Sequence, residues 1–425
     1  MSEGEKAGSD ANPVGTLSVI GLGYIGLPTA AMFASSGIDV VGVDISQRAV
    51  DAVNSGKAHI EEGNLDELVE HCVAAGRLRA TTTPVAADVF IIAVPTPVAH
   101  DETRAPDVSF VQAAGRAIAP FLRAGNLVIL ESTSPVGTTG MLAELLSSER
   151  PDLTFPQQAG EDSDICLAYC PERIIPGQML KELVENDRIV GGMTARCAER
   201  AAAVYKVFVR GVCHLSTDRT AEMVKLTENA FRDVNIAFAN ELSMICDDLD
   251  VDVWKVIDFA IRHPRVAILQ PGAGVGGHCI AVDPWFIVSS APERSRIIRV
   301  AREVNDSKPQ FLIRQVEAEL ANSPGKKIAC LGLSYKADVD DFRESPSLEI
   351  ATTLSARYPG QVLCVDPFAH ALPASEAQSR GLTFVDIDVA MEQAEVVLIL
   401  VPHSAFRSRP RPEDKTVIDP VGFWR

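Results

Sequence analysis

At 425 residues the chain is longer than one hydrophobic core usually grows, so two or three domains are expected. Hydrophobic residues at 47% and charged residues at 23% describe a chain that folds rather than one that stays disordered. A formal net charge of −18 leaves no basic footprint for nucleic acid or an anionic membrane surface, which excludes both as partners; any anionic substrate must be held by local Arg and Lys. No stretch approaches the ~20 apolar residues of a membrane span, and the polar segment 1–15 lacks the apolar core of a signal peptide, so a cytoplasmic protein with a disordered N-terminal tail is expected. The nine cysteines include no C-x-x-C pair, and Cys166, Cys170 and Cys279 assemble no four-ligand set, so neither a disulfide framework nor a metal site is expected.

From Thr16 onward, short aliphatic runs alternate with helical stretches. Residues 17–20, 24–36 and 39–43 read as a β-α-β unit, and buried-strand candidates follow at 89–94, 127–130 and 165–169, so the first ~200 residues fit a doubly wound parallel sheet. After Thr217 about 30 residues run to Asp250 without Gly or Pro and predict one long helix. A second helical region over 293–320 is expected to kink or divide at Pro309. Between the two lies a turn-rich segment, 263–284. Asn322-Ser-Pro-Gly325 marks a boundary, after which 327–331, a helix near 347–357, 362–365 and 396–400 repeat the β/α rhythm. The expected architecture is α/β, with two Rossmann-like doubly wound domains (16–216 and 322–425) joined by a central helical domain (217–321) that contains the long helix.

Gly21-Leu-Gly23-Tyr24-Ile25-Gly26 follows the first expected strand and opens a helix, and Asp44 ends the next strand 18 residues later. Gly21 permits the tight turn, Gly23 lets a pyrophosphate approach the backbone, and Gly26 lets the helix pack on the sheet, while the helix N-terminus favours the anion. Asp44 would accept from a ribose 2′-hydroxyl and repel a 2′-phosphate, which selects NAD over NADP. Val94-Pro95-Thr96-Pro97 and Glu131-Ser132-Thr133-Ser-Pro-Val-Gly137 each end an apolar strand at the carboxyl edge, where such sheets bind ligands; each reads equally well as an ordinary strand-ending loop.

Most cysteines are small buried hydrophobes, but Cys279 follows a glycine-rich loop, beside His278 and four residues before Asp283. An NAD enzyme that stops at a carbonyl needs no thiol. One that carries an aldehyde onward to an acid does, because the thiolate adduct can yield a second hydride and leave a thioester for water. On the long helix, Lys225, Asn229 and Arg232 recur at i, i+4 and i+7 on one face, either as a solvated stripe or as an oxyanion and proton-transfer pair with a neighbour. In the last domain Cys330-Leu-Gly-Leu-Ser-Tyr-Lys336 stands where a dinucleotide fingerprint would, without its second and third glycines. Lys336 and Arg343 are therefore candidates to grip a smaller phosphate-bearing ligand, unless they are plain surface charges.

With these residues in hand, the chain from Thr16 to Asp419 resembles the UDP-glucose/GDP-mannose dehydrogenase family. The markers, in order, are Ser18-Val-Ile-Gly-Leu-Gly-Tyr-Ile-Gly-Leu-Pro28, Ala168-Tyr-Cys-Pro-Glu-Arg173, Glu222-Met-Val-Lys-Leu-Thr-Glu-Asn229, Arg262-His-Pro-Arg265, Gly276-Gly-His-Cys-Ile-Ala-Val-Asp-Pro284 and Arg343-Glu-Ser345. The resemblance implies an N-terminal NAD domain, a central dimerisation domain and a C-terminal domain for the UDP moiety. It implies that Cys279 is the nucleophile, that Lys225 and Asn229 stabilise the oxyanion and move the first proton, and that Asp283 helps activate water. Thr133 and Glu172 then stand near the reacting carbon, Lys336 and Arg343 grip the nucleotide sugar, and Arg262 reaches the site of a partner subunit. Pro95, Thr96, Thr133 and Arg343 join the cofactor side, and Arg173, Arg232, His263, Arg265 and Gly276 the substrate side. Two positions depart from the family's UDP-glucose enzymes: a second glutamate four residues after Glu172 is Pro176 here, and a lysine before Asp283 is Val282. Both fit the N-acetylhexosamine branch. The implied reaction is the NAD-dependent four-electron oxidation of the C6 alcohol of UDP-N-acetyl-D-mannosamine, through a Cys279 thiohemiacetal and thioester, in a homodimer or higher oligomer. The alternatives are the same chemistry on UDP-N-acetylglucosamine or another nucleotide sugar, and a non-catalytic NAD and nucleotide-sugar sensor, against which Cys279, Lys225 and Asp283 together argue.

Overall fold

The computed structural model describes residues 14–425 apart from 61, 100, 102, 175, 176, 278 and 322–324, so Pro176, His278 and most of the tail and boundary segments lie outside the described residues. The chain divides into two compact units, one up to Leu226 and one from Thr227 onward.

The first unit is built on β1 (Thr16–Ile20), β2 (Asp39–Val43), β3 (Leu78–Thr81), β4 (Val89–Ile92), β5 (Leu127–Leu130), β6 (Cys166–Tyr169), β7 (Arg188–Gly192) and β8 (Cys213–Thr217), paired in the order β3-β2-β1-β4-β5-β6-β7-β8. Every residue of β4, β5 and β6 is buried. Such uninterrupted apolar runs need cover on both faces, as helices in a parallel sheet provide. Successive residues feed opposite cores: Ile91 and Ile129 pack with Phe33 on one side, Phe90, Ile92 and Leu130 with Tyr169 on the other. The register aligns Thr81, Val43, Ile20, Ile92, Leu130 and Tyr169 across six strands, so the residues that follow them share one carboxyl edge.

Within the expected doubly wound parallel sheet, one pairing is antiparallel. β7 runs antiparallel to β6, with Ala168 opposite Gly192 and Tyr169 opposite Gly191, and β8 is parallel to β7. Its short run begins with a charge and ends in two glycines, so it carries little strand signal. Continued in the same register, the reversal sets Arg188 opposite Glu172 at the carboxyl edge.

The predicted long helix is Asp218–Asp248. Its first turns dock on the sheet through Glu222, whose buried carboxylate accepts from Gly137 N (2.6 Å), Thr139 N (2.8 Å) and Thr139 Oγ1 (2.7 Å). The anion thus sits at the N-terminus of helix Thr138–Glu149, which has no side-chain cap of its own.

In the second unit the rest of this helix packs with Arg296–Ala321, and a smaller parallel sheet follows, β9 (Ile328–Leu331), β10 (Val362–Val365), β11 (Val396–Ile399) and β12 (Thr416–Ile418), in the order β10-β9-β11-β12. Pro309 does not divide its helix, contrary to one form of the expectation. It withdraws one N–H, but Asn305, Lys308, Pro309, Leu312 and Ile313 are all buried, and that packing carries the helix through.

Candidate active site

At the carboxyl edge of the first sheet, Gly21 turns at φ +94°, its N–H bonded to Val43 O at 2.7 Å. A Cβ on Gly26 would lie 1.8 Å from Gly21 O, whereas one on Gly23 would meet nothing within 4 Å. The turn therefore needs Gly21 and Gly26 for its own packing and keeps space above Gly23. Tyr24 and Ile25 lead into helix Gly26–Ser35, which has neither a side-chain cap nor an acidic residue in its first turn, as suits a bound phosphate. Asp44 accepts from Leu22 N (2.9 Å) and Ser46 N (2.8 Å), which fixes its carboxylate at the end of β2. Beside it Ile45 is 93% exposed, an apolar side chain next to the Asp44 carboxylate that sequence reading missed. These residues fit an NAD molecule.

Along the same edge, Thr96 Oγ1 donates to Thr133 O at 2.6 Å, so the loops after β4 and β5, with Pro95 exposed on the first, form one lip. After β6, Glu172 is buried and accepts from Arg173 N (2.9 Å) and from Arg188 Nη2 (2.8 Å). Arg173 itself donates to Asp187 O. Lys225 is half-buried and donates through Nζ to Glu172 O at 2.6 Å. Lys225 is thus anchored beside Glu172 rather than loose in a solvated stripe, while Arg232 on the same helix is exposed.

In the second unit, Asn229 Nδ2 donates to Asp283 Oδ2 at 2.5 Å, and both residues are buried. Asp283 begins helix Asp283–Ser290, and its N–H and that of Val282 bond to Cys279 O at 2.8 and 3.1 Å. Cys279 is therefore held one turn before that helix. Of the nine cysteines seven are buried, Cys213 is half-buried, and Cys279 is exposed. The preceding loop is tied to the long helix by Asn235, which accepts from Leu269 N, and by Asn240, which accepts from Gly272 N, both at 2.9 Å. Gly276 and Gly277 lie flat on the Tyr335–Pro346 stretch: a Cβ on Gly276 would stand 2.4 Å from Glu344 O, and one on Gly277, at φ +84°, 2.8 Å from the Tyr335 ring. This contact brings the Cys279 loop against the segment that carries Lys336 and Arg343, both exposed, with Arg343 in a bidentate pair with Asp341. Arg262, His263 and Arg265 are exposed, away from these bonds, with Arg262 over the Phe259 ring.

The second sheet repeats the turn of the first: Gly332 N bonds Val365 O at 2.8 Å and Leu333 N bonds Asp366 Oδ2 at 2.6 Å. Here the acid faces inward. His403 Nδ1 accepts from Asp338 N, which leaves the proton on Nε2 beside Asp366 at 3.3 Å. Burial raises the Asp366 carboxyl, but bonds from His403, Leu333 N and Phe368 N outweigh it and hold the carboxyl below its ordinary value. With its acid engaged inside, this turn offers no ribose acceptor like Asp44.

The glycine geometry makes a separable prediction. Gly23→Ala is expected to keep the parental melting temperature within about 2 °C and weaken NAD binding at least about tenfold, whereas Gly26→Ala loses both. Calorimetric titration with NAD alongside thermal melts reads the difference; unimpaired binding by Gly23→Ala would remove the phosphate from this turn.

Residues 15–209 match the NAD binding domain of the UDP-glucose/GDP-mannose dehydrogenase family, 219–307 its central domain and 329–425 its UDP binding domain. Over 411 residues the chain is 56% identical to an NDP-N-acetyl-D-galactosaminuronic acid dehydrogenase of Ralstonia nicotianae, 96% of each protein being covered. It is 54% identical over 421 residues to the UDP-N-acetyl-D-mannosamine dehydrogenase of Escherichia coli K12, covering 96% of this chain and 99% of that one. The solved UDP-N-acetyl-mannosamine dehydrogenase of S. aureus superimposes with a TM-score of 0.85 at 42% identity, covering 96% of both chains. No helix among the described residues is long and apolar enough to cross a membrane. With three successive domains matched and a dinucleotide turn in place, the chain belongs to the UDP-glucose/GDP-mannose dehydrogenase family and is an NAD-dependent nucleotide-sugar dehydrogenase.

Proposed function

We propose that this enzyme oxidises the C6 alcohol of UDP-N-acetyl-D-mannosamine to the carboxylate of UDP-N-acetyl-D-mannosaminuronate, consuming two NAD⁺ and one water per sugar. The observation that carries the four-electron reading is the exposure of Cys279 alone among nine cysteines, one turn before a helix that opens on Asp283. A structural thiol gains nothing from that position; a nucleophile requires it. The choice of sugar rests on likeness to the E. coli and S. aureus enzymes. A second reading, an N-acetylgalactosamine nucleotide, is favoured by the 56% identity to the Ralstonia protein.

When bound, NAD supplies the hydride acceptor for both oxidations. Gly21, Gly23 and Gly26 with the backbone of Tyr24 and Ile25 would hold its pyrophosphate, Asp44 its ribose, and Pro95, Thr96, Thr133 and Arg343 complete the cofactor set. Lys225 and Asn229 move the first proton and donate to the oxyanion, two cationic or amide donors whose nitrogens are already directed at oxygen acceptors. The Cys279 sulfur bonds to the aldehyde carbon to give a thiohemiacetal, which becomes a thioester on losing its hydroxyl proton and a hydride that NAD⁺ would accept. Asp283, assisted by Thr133 and Glu172 near the reacting carbon, directs water onto that carbon, and the Cys279 thiolate leaves. Arg173, Arg232, His263, Arg265, Gly276 and Lys336 complete the nucleotide-sugar side. The functional domains in this reading are 16–216 for NAD, 217–321 for dimerisation and 322–425 for the UDP-sugar.

The test is a panel of UDP-N-acetylmannosamine, UDP-N-acetylglucosamine, UDP-N-acetylgalactosamine and UDP-glucose with NAD and with NADP. Highest kcat/KM is expected for the first sugar with NAD, at two NADH per acid; a preference for another sugar or for NADP would overturn the corresponding assignment.

A homodimer or larger assembly is part of the same reading, with Arg262 serving the site of a second subunit. Phe231, Phe238 and Ile245, 66%, 52% and 48% exposed, recur every seven residues on the long helix, an apolar stripe that invites a symmetric partner. Light scattering is expected to give at least twice the mass of one chain, and Phe238→Asp to lower it; a fully active monomer would contradict the role of Arg262.

A further inference from the structure

Behind Glu172 lies a buried group of side chains that the reaction outlined above does not use. Arg188, its side chain 4% exposed, donates to Glu172 Oε2 at 2.8 Å. The same guanidinium stands 3.8 Å from Glu131 Oε1, 3.9 Å from Cys170 Sγ and 4.4 Å from the centre of the Tyr205 ring. Tyr205 OH donates to Glu131 Oε1 at 3.0 Å. These groups come from separate elements of the first unit: Glu131 after β5, Cys170 and Glu172 after β6, Arg188 from β7, and Tyr205 at the end of helix Ala195–Tyr205, with Thr29 of helix Gly26–Ser35 also beside Glu131.

One guanidinium faces two carboxyls in a place closed to water. Two ionised carboxylates would leave an uncompensated negative charge there, which a low-dielectric interior resists. The distances divide the roles, since Glu172 has the short ion pair and Glu131 the long one. Burial, and after it the charge of Glu172, push the Glu131 carboxyl up to about 8. Burial also pushes the Cys170 thiol up to about 12 and raises the Tyr205 phenol, so both stay neutral.

We propose that Arg188 is a positioning residue for Glu172, fixing its carboxylate at the carboxyl edge, and that a protonated Glu131 leaves Arg188 undivided for that task. The proposal rests on the reading that Glu172 stands near the reacting carbon. Ionising Glu131 gives Arg188 a second anion to share and loosens Glu172.

Two measurements test this. The first needs no substrate: melting temperatures of the parent and Glu131→Gln across pH. Because the folded value of Glu131 is raised, the native state keeps a proton that the unfolded chain releases; the stability this confers is full below the ordinary glutamate range and is lost as pH rises through about 8. The parent is expected to lose stability relative to Glu131→Gln between about pH 5 and 8, and then to level off; a constant difference overturns the proposal. The second is turnover with whichever nucleotide sugar the panel identifies, so that a wrong sugar assignment leaves it standing. Arg188→Met is expected to lower kcat on the order of a hundredfold while KM for sugar and NAD stays within about threefold, with partial recovery in Arg188→Lys. The ratio of kcat at pH 9 to kcat at pH 7 should be about tenfold higher in Glu131→Gln than in the parent. Equal loss in Arg188→Met and Arg188→Lys, or superimposable pH profiles for parent and Glu131→Gln, would overturn it. If Arg188→Met does not fold, Arg188→Lys and Glu131→Gln decide.

Discussion

The first unit depends on one constraint: its central strands are almost wholly apolar and buried, and they end in register. Ile20, Val43, Ile92, Leu130 and Tyr169 stand side by side, so turn, acid, lip and carboxylate must all appear in the residues that follow them. Gly21, Asp44, Thr96, Thr133 and Glu172 are the result. The reversal of β7 adds the one thing a parallel strand could not: a strand's first residue, Arg188, at the edge where β1 to β6 finish. A parallel β7 would have put that cation at the opposite end of the sheet.

The second unit solves a different problem, which is to expose a thiol without loosening the chain around it. Amides on the long helix do this by local bonds, Asn229 to Asp283, Asn235 to Leu269 and Asn240 to Gly272. Behind them Asp233 pairs with Arg302 at 2.6 Å and takes Asn305 Nδ2 at 2.8 Å, and Asn240 donates to Asn305 Oδ1. A buried ion pair contributes little net stability once desolvation is counted. Its effect is to fix the register of the two long helices, and through Asn240 that register sets the glycine loop.

Much of this was legible in the sequence because it is local. The glycine turn with Asp44, the long helix without Gly or Pro, and Cys279 after a glycine loop all follow from residue type and spacing. What escaped depends on distant pairing. Arg188 and Glu131 are 57 residues apart and read as ordinary charges until an antiparallel strand joins them. Glu222 looks like part of a family motif, yet its work is to bind Gly137 and Thr139, and nothing near it says so. Pro309 reads as a helix breaker because a local rule cannot see the buried residues that outvote it.

The covalent role of Cys279 is the claim on which the four-electron chemistry turns, and the Cys279→Ala variant tests it most directly. Uronic acid and NADH are measured together at saturating NAD and nucleotide sugar, with an aldehyde trap present. The variant should bind NAD and sugar as the parent does, form no uronic acid, and release at most one NADH per sugar into trapped aldehyde. Uronic acid formed at close to the parental rate, with two NADH for each molecule, would show that Cys279 is a structural thiol and that the oxidation proceeds without it.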